Sequence, residues 1–318
     1  MDIEGTTYRL AQVGPLQMAP LVPLFRDVFA RRDFNLDWLN GKYGCEYEGV
    51  RGCSYVAFTE TGEAVASLGV LPWPIRFGDR TELAAQIVDA ATLPRHRRRG
   101  LFARMAQMAL EVCDGEGISF LFAFPETQRH SYAGFIRHVG FSHIHDLIEY
   151  RLPIRTLWAE RLARRAGPLN TLYERRLQKT LDVYTPGDPV LENSLLAEGY
   201  AGTHRNRAFH EYKSFAGSRV LEFDGGRVWL KVRRGVFVGD FEASSEANLI
   251  KTADVLEHIA RRLGIHQILF QTSGKTRLAR FFAERYLALP RLTVVYRNLR
   301  SQIPVDALRF TSGDLDNF

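Results

Sequence analysis

Between Pro94 and Ala103 the chain reads PRHRRRGLFA, with four arginines and one histidine in the five positions from Arg95 to Arg99, then Gly100. An apolar helical stripe follows: Leu101, Phe102, Met105, Met108, Ala109 and Val112. A helix start exposes backbone N–H groups without intrahelical acceptors and carries partial positive charge. Glycine lets a ligand approach the main chain, and arginines add charge around it. Placed after a strand, this combination suits a diphosphate. A Walker loop is excluded, because no Gly-Lys-Ser/Thr stands at the required spacing from an earlier glycine. A dinucleotide fingerprint, which needs three spaced glycines, is excluded too. The competing reading of the run is an exposed basic loop or a nuclear-localisation-like signal.

Asp89, in the apolar stretch QIVDAAT, is the nearest carboxylate to this turn, and an ionised group there needs a partner. A general base, an anchor for a substrate ammonium and a structural hydrogen-bonding residue all remain open for it. By strand parity it faces away from Gln86, unless a bulge re-aims it. His130, His138, His143 and His145 lie close in sequence but lack the spacing of a metal site, so no metal is expected. His96 belongs to the basic loop. Trp38 and Trp73 are core aromatics or the lining of an acceptor cleft. Cys45, Cys53 and Cys113 are odd in number and not spaced as zinc ligands, which suggests reduced, packed thiols in the cytosol.

The elements that must hold these residues follow a regular order. A helix runs from Leu21 to Phe29. SYVAFT and AVASLGV form a hairpin, and LAAQIVDAAT is a third strand ended by Pro94. The stripe helix comes next, then ISFLFAF as a buried strand, RHSYAGFIRHV as a short helix with Tyr132, Phe135, Ile136 and Val139 inward, and HIHDLIEYRL as a strand. Residues 155–181 read as a basic helical connector interrupted at Gly167 and Pro168. Beyond residue 200 the order returns: RVLEF, RVWLKV and GVFVGDF as strands, then a helix burying Leu249, Ala253, Leu256, Ile259 and Leu263. A strand (IHQILFQT), a helix and a last strand (LTVVYRNL) complete it. The second half has GDFEASSEANLI where the first has the basic turn, so the turn acts once per chain.

The 318 residues favour two domains over one core. With 46% hydrophobic and 25% charged residues the composition is that of a soluble globular protein. No segment has the length of a membrane span, and MDIEGTTYRL has no signal-peptide character. Cytoplasmic localisation is the expectation. The net charge of +6 suits anionic partners, yet the other basic pairs are dispersed: Arg161, Arg164 and Arg165, Arg175 and Arg176, Arg233 and Arg234, Arg261 and Arg262. They read as solvated faces, and nucleic-acid binding is not expected.

The turn resembles the acyl-CoA-binding motif of the GNAT superfamily of N-acyltransferases, Gln/Arg-x-x-Gly-x-Gly/Ala, here Arg97, Arg98, Arg99, Gly100, Leu101 and Phe102 after Pro94. Phe102 stands where the pattern has Gly or Ala. SYAGFIRHVGF, with Gly140 and Phe141, resembles the family's penultimate helix and the strand start after it. The resemblance covers about residues 1–152. The second half is similar in architecture, like the degenerate lobe of tandem GNAT proteins. It implies a mixed α/β fold of two GNAT-like lobes in tandem: an acyl-CoA-binding lobe at 1–152, a helical connector at 153–200 and a degenerate lobe at 201–318. It also implies acetyl-CoA or another acyl-CoA as co-substrate. Ala90, Ala91 and Thr92 would pair with the pantetheine arm. The amides of Arg98, Arg99, Gly100, Leu101 and Phe102, with Ala103 in the first turn, would hold the diphosphate, and the side chain of Arg97 or Arg95 would reach a phosphate.

In many members a tyrosine four residues before the Gly of Gly-Phe protonates the leaving thiolate. That position is Ile136 here, and Tyr132, one turn earlier, is the candidate acid. Gln86 stands where some members carry a catalytic Glu, and an amide cannot take that proton. That leaves Asp89 as the candidate base. Some tandem-lobed members, the enhanced-intracellular-survival acetyltransferases, place a terminal carboxylate in the active site, so the tail with Asp314, Asp316 and Phe318 is a further candidate. The resemblance implies acyl transfer to a small-molecule amine, an amino sugar by family analogy, through direct attack without a cysteine nucleophile. Two alternatives stand beside it: a non-catalytic CoA-binding or interaction protein, and a FemXAB-type aminoacyl transferase that takes charged tRNA. Sequence does not set the oligomeric state.

Overall fold

The computed structural model describes residues 2–3, 6–30, 34–126, 130–155, 167–233 and 235–318. Arg161, Arg164, Arg165, Arg234 and the side chain of His130, singled out above, lie outside the described residues.

The chain forms two compact units. The first comprises Met1–Asp146 with Arg291–Leu308. Its longer strands are β1 (Thr6–Val13), β2 (Cys53–Thr59), β3 (Ala64–Phe77), β4 (Arg80–Thr92) and β5 (Phe120–Ala123). β1 to β4 are successively antiparallel, and β5 joins β4 in parallel. A parallel pair needs a crossover, which α3 (Leu101–Gly115) supplies. It buries Leu101, Met105, Ala106, Ala109 and Cys113 at helical spacing. Two helices precede β2: α1 (Leu21–Phe29), whose bounds are those expected, and α2 (Leu36–Tyr43), which begins where the Asn35 side chain accepts from the Trp38 amide. After β5, α4 (His130–Gly134) runs on into a π turn (Phe135–Val139), and β6 (Ser142–Pro153) follows.

β3 is longer than its hydrophobic run suggested, because it continues through Pro72 and Pro74. Its pairing with β2 ends at Cys53 and Val70, so these missing N–H groups interrupt no bond with that strand.

The second unit comprises Leu147–Pro290 with Arg309–Asp316 and Phe318. It contains α5 (Gly167–Asp182), α6 (Arg207–Lys213), β7 (Arg219–Phe223), β8 (Gly226–Val232), β9 (Val236–Glu242), α7 (Glu246–Arg262), β10 (Gln267–Ser273) and α8 (Arg277–Ala283). β7, β8 and β9 are antiparallel and β10 joins β9 in parallel, repeating the order of β2 to β5. The five core positions expected on α7 are all buried. Gly167 and Pro168 lie at the start of the described part of the expected connector, α5; residues 156–166 lie outside the described residues. Arg175, Arg176, Arg261 and Arg262 are exposed, in keeping with solvated faces.

Each unit is completed by a strand from the other half of the sequence. In the second unit, Leu147–Pro153 of β6 pair antiparallel with β10. In the first, β11 (Leu287–Asn298) pairs antiparallel with β5, Val295 opposite Ala123. The divisions expected at 152 and 200 follow chain order; the compact units do not, because these strands are exchanged.

Candidate active site

The basic run forms a compact turn between β4 and α3. Pro94–His96 make a single 3-10 turn, Arg97 is extended, and both Arg98 (φ 63°) and Gly100 (φ 69°) are left-handed. Glycine is the residue for which that conformation is free of strain. A Cβ at Gly100 would meet nothing within 4 Å, so the main chain here borders open space. The first helical bond runs from the Arg104 amide to the Gly100 carbonyl at 3.1 Å. No side chain caps α3, which leaves the amides of Leu101, Phe102 and Ala103 facing outward with the positive end of the helix. An anion fits this setting.

The arginines divide by task. Arg99 donates to Thr6 Oγ1 (2.9 Å) and to Tyr8 Oη (2.6 Å), which ties the turn to β1. Tyr8 in turn meets His96 Nδ1 at 2.7 Å. Burial, with Arg95 and Arg99 close by, holds His96 below the ordinary imidazole value. Arg95 pairs with Glu63. Arg97 donates from Nε to the Thr92 carbonyl (3.2 Å) and is otherwise exposed, as is Arg98.

Phe102 is accommodated by a glycine elsewhere. A Cβ at Gly134 would lie 3.1 Å from the Phe102 ring, and that ring meets Phe135 edge-on at 5.2 Å. The small residue the motif lacks on α3 is thus supplied by α4.

β4 and β5 pair only at Ala85–Leu121 and Gln86–Phe122. From there toward Thr92, the side of β4 facing β5 has no strand pairing among the described residues, while its other side stays on β3 at Ala91–Ser67 and Thr92–Ala66. An extended ligand arm can add to that edge as a strand does. Within this stretch the register slips: Val88 opposes Gly69 and Ala91 opposes Ser67, so Asp89 and Ala90 form a bulge. Asp89 is left-handed at φ 47°. The bulge turns its carboxylate toward α2, onto the face that Val88 and Gln86 share. There Lys42 Nζ donates to both oxygens at 2.7 Å and Tyr43 Oη to Oδ2 at 2.8 Å. Lys42 is 1% exposed and Asp89 10%. Gly69 makes room for the phenol, since a Cβ there would lie 2.2 Å from Tyr43 Oη. Gln86 is fully buried, and neither end of its amide has a protein partner.

Tyr132 is half-buried on α4, its ring 6.2 Å from that of His143. Ile136 is also half-buried, while Phe135 and Val139 are the inward residues of that segment. His143 is exposed beside Asp146 (3.2 Å) and His138 is exposed. No three His, Cys, Asp or Glu side chains converge among the described residues. Trp73 is fully buried in the core. Trp38 is half-buried, with Lys42 Nζ 5.2 Å from its ring. The three cysteines are buried and form no disulfide among the described residues, and burial pushes the Cys53 thiol up to about 11.

In the tail, one of the candidate carboxylates is already paired. Asp314 is fully buried in the second unit, 2.8 Å from Arg205, which also holds Asp240 at 2.5 Å. The Phe318 ring packs edge-on against Trp229 at 4.8 Å. Asp314 is therefore committed to an internal ion pair and is not available as a base. Sequence reasoning missed Lys42 and Tyr43. The signal was present in the need of Asp89 for a partner, but a lysine on a short helix 47 positions away reads as solvated until the fold brings it in.

The layers and topology define a tandem GNAT-like fold, and an uncapped turn beside an open strand edge is its distinctive site. Residues 18–144 match the acetyltransferase (GNAT) domain family. Three solved structures share the fold. A conserved protein of unknown function from Enterococcus faecalis V583 aligns at a TM-score of 0.61 and 15% identity, over 93% of this chain and 73% of that one. A GCN5-related N-acetyltransferase from Kribbella flavida aligns at 0.58 and 15%, over 91% and 71%. A tandem GNAT protein from the clavulanic acid biosynthesis pathway aligns at 0.56 and 13%, over 92% and 98%. No curated protein matches the sequence. Residues 18–144, within the first unit, thus form an acetyltransferase (GNAT) domain.

Proposed function

We propose that the protein moves an acyl group, acetyl first among them, from acyl-CoA to the amine of a small molecule by direct attack. The observation that carries this reading is the uncapped start of α3 at Gly100, open to an anion and adjacent to the free edge of β4. Ala90, Ala91 and Thr92 would hold the pantetheine arm by their backbone. The amides from Arg98 to Ala103 would hold the diphosphate, with Arg97 and Arg98 as exposed cations beside it. The thioester supplies the acyl group and a thiolate leaving group. A typical alkylamine has a pKa of about 10, so its proton must be removed before attack. Tyr132 is the residue of the α4 region proposed to protonate the thiolate. Amino sugars are the acceptor class to test first.

A second reading, CoA binding without chemistry, is favoured by two features: Ile136 at the usual position of the acid, and an Asp89 carboxylate already held by Lys42 and Tyr43. Thiol release from acetyl-CoA against a panel of amines separates the readings. Turnover with one amine class supports transfer. Tight CoA binding without turnover on any amine supports the second reading. No CoA binding at all removes both and leaves the tRNA-dependent alternative, which needs no such cradle.

A further inference from the structure

The bulge in β4 is held from outside the strand. We propose that Asp89 is a positioning residue and not the general base. Gripped by Lys42 and Tyr43, its carboxylate fixes the left-handed bulge that sets the course of Ala90, Ala91 and Thr92. The inference deepens the acyl-CoA reading and rests on it.

Non-glycine residues take left-handed backbone rarely, and they keep it where the surroundings over-determine it. Asp89 is over-determined from two elements. From α2, Lys42 binds both carboxylate oxygens and Tyr43 binds one of them. From β3, Ser67 Oγ donates to the Asp89 carbonyl at 3.0 Å, and Gly69 leaves the space that the Tyr43 phenol fills. Val88 and Ala91, three apart, therefore both pair across to β3, where a regular strand would bring alternate residues into register. The segment re-aimed by this slip is the one whose far edge is open beyond Gln86 and Phe122. A general base needs an oxygen turned to the acceptor amine. Here Oδ1 is bound to Lys42 and Oδ2 to both donors, in a side chain 10% exposed.

Backbone and carboxylate roles separate when the buried cation is removed first. In a Lys42→Met background, Asp89→Gly and Asp89→Ala both lack the carboxylate, but glycine accepts the left-handed conformation and alanine does not. Calorimetric titration with coenzyme A is expected to show the glycine double variant binding about tenfold more tightly than the alanine one. Equal affinities would overturn the proposal. Asp89→Asn with Lys42→Met gives a second arm that leaves no unpaired charge, since asparagine tolerates this backbone and can still accept from Tyr43. With only Tyr43 left to grip position 89, it is expected to bind CoA about threefold more weakly than the wild type and to retain thiol release once acetyl-CoA is saturating. Wild-type CoA affinity with thiol release abolished would make Asp89 the base and contradict us. A wild-type protein that gives no heat with CoA fails at the earlier step, the acyl-CoA reading itself. Should the alanine variant not fold, the asparagine arm decides alone.

Discussion

At the scale of single residues, Tyr132 and His210 show how position assigns a role that residue type leaves open. Tyr132 sits one turn before Ile136, and α4 passes into a π turn just after it. Such turns shift the register of a helix and recur at functional sites. If the phenol protonates the leaving thiolate, Tyr132→Phe lowers kcat about a hundredfold with little change in KM. Steady-state thiol release checks this, and an unchanged kcat removes the residue from the chemistry. His210, buried in the second unit, has its Nε2 3.0 Å from the Leu191 carbonyl. Burial lowers its pKa from 6.5 to about 4. Between those values the unfolded chain binds the proton and the folded chain does not. Stability is thus full above pH 6.5 and falls as pH drops toward 4. The loss attributable to this group is about 3 kcal/mol. Thermal unfolding across that window tests it, and a His210→Gln variant should show the shallower slope.

At the scale of elements, the sequence patterns were legible where burial is periodic and illegible where one element borrows from another. The bounds of α1, the core face of α7 and the hairpin of β2 and β3 follow from hydrophobic spacing. β3 outran the run AVASLGV: it continues through Pro72 and Pro74, which lie beyond the end of its pairing with β2. The basic turn before α3 could be located from Arg97 to Gly100. That Arg99 serves the fold by gripping Thr6 and Tyr8 depends on β1, some ninety residues earlier, which local spacing cannot reveal. Phe102 is a like case: its fit depends on Gly134. Gly134→Val should overpack that contact and cost about 1–3 kcal/mol, seen as a lower denaturation midpoint. An unchanged midpoint would mean that α4 yields without strain.

At the scale of the whole molecule, element order revealed the duplicated plan, but chain order concealed the exchange. An amphipathic strand carries no mark of which neighbour it will pair with. HIHDLIEYRL and LTVVYRNL were both read correctly as strands, yet Leu147–Pro153 complete the second unit and β11 completes the first. A fragment ending at residue 152 should therefore leave the β5 edge, Phe120–Ala123, unpaired and self-associate. Light scattering checks this; a monomeric, folded fragment would show that β11 is dispensable. The duplication also bears on stoichiometry. The first unit has an uncapped α3 behind a basic turn. In the second, Ser245 caps α7 and Glu246 stands in its first turn, which disfavours an anion. The central claim is that the turn at Gly100 holds the diphosphate of coenzyme A. Isothermal titration of the wild type and of Gly100→Glu with coenzyme A tests it most directly. The account predicts one site per chain in the wild type, and its loss when a carboxylate is set at the mouth of the turn. Equal binding by both proteins, or no heat from either, would contradict it.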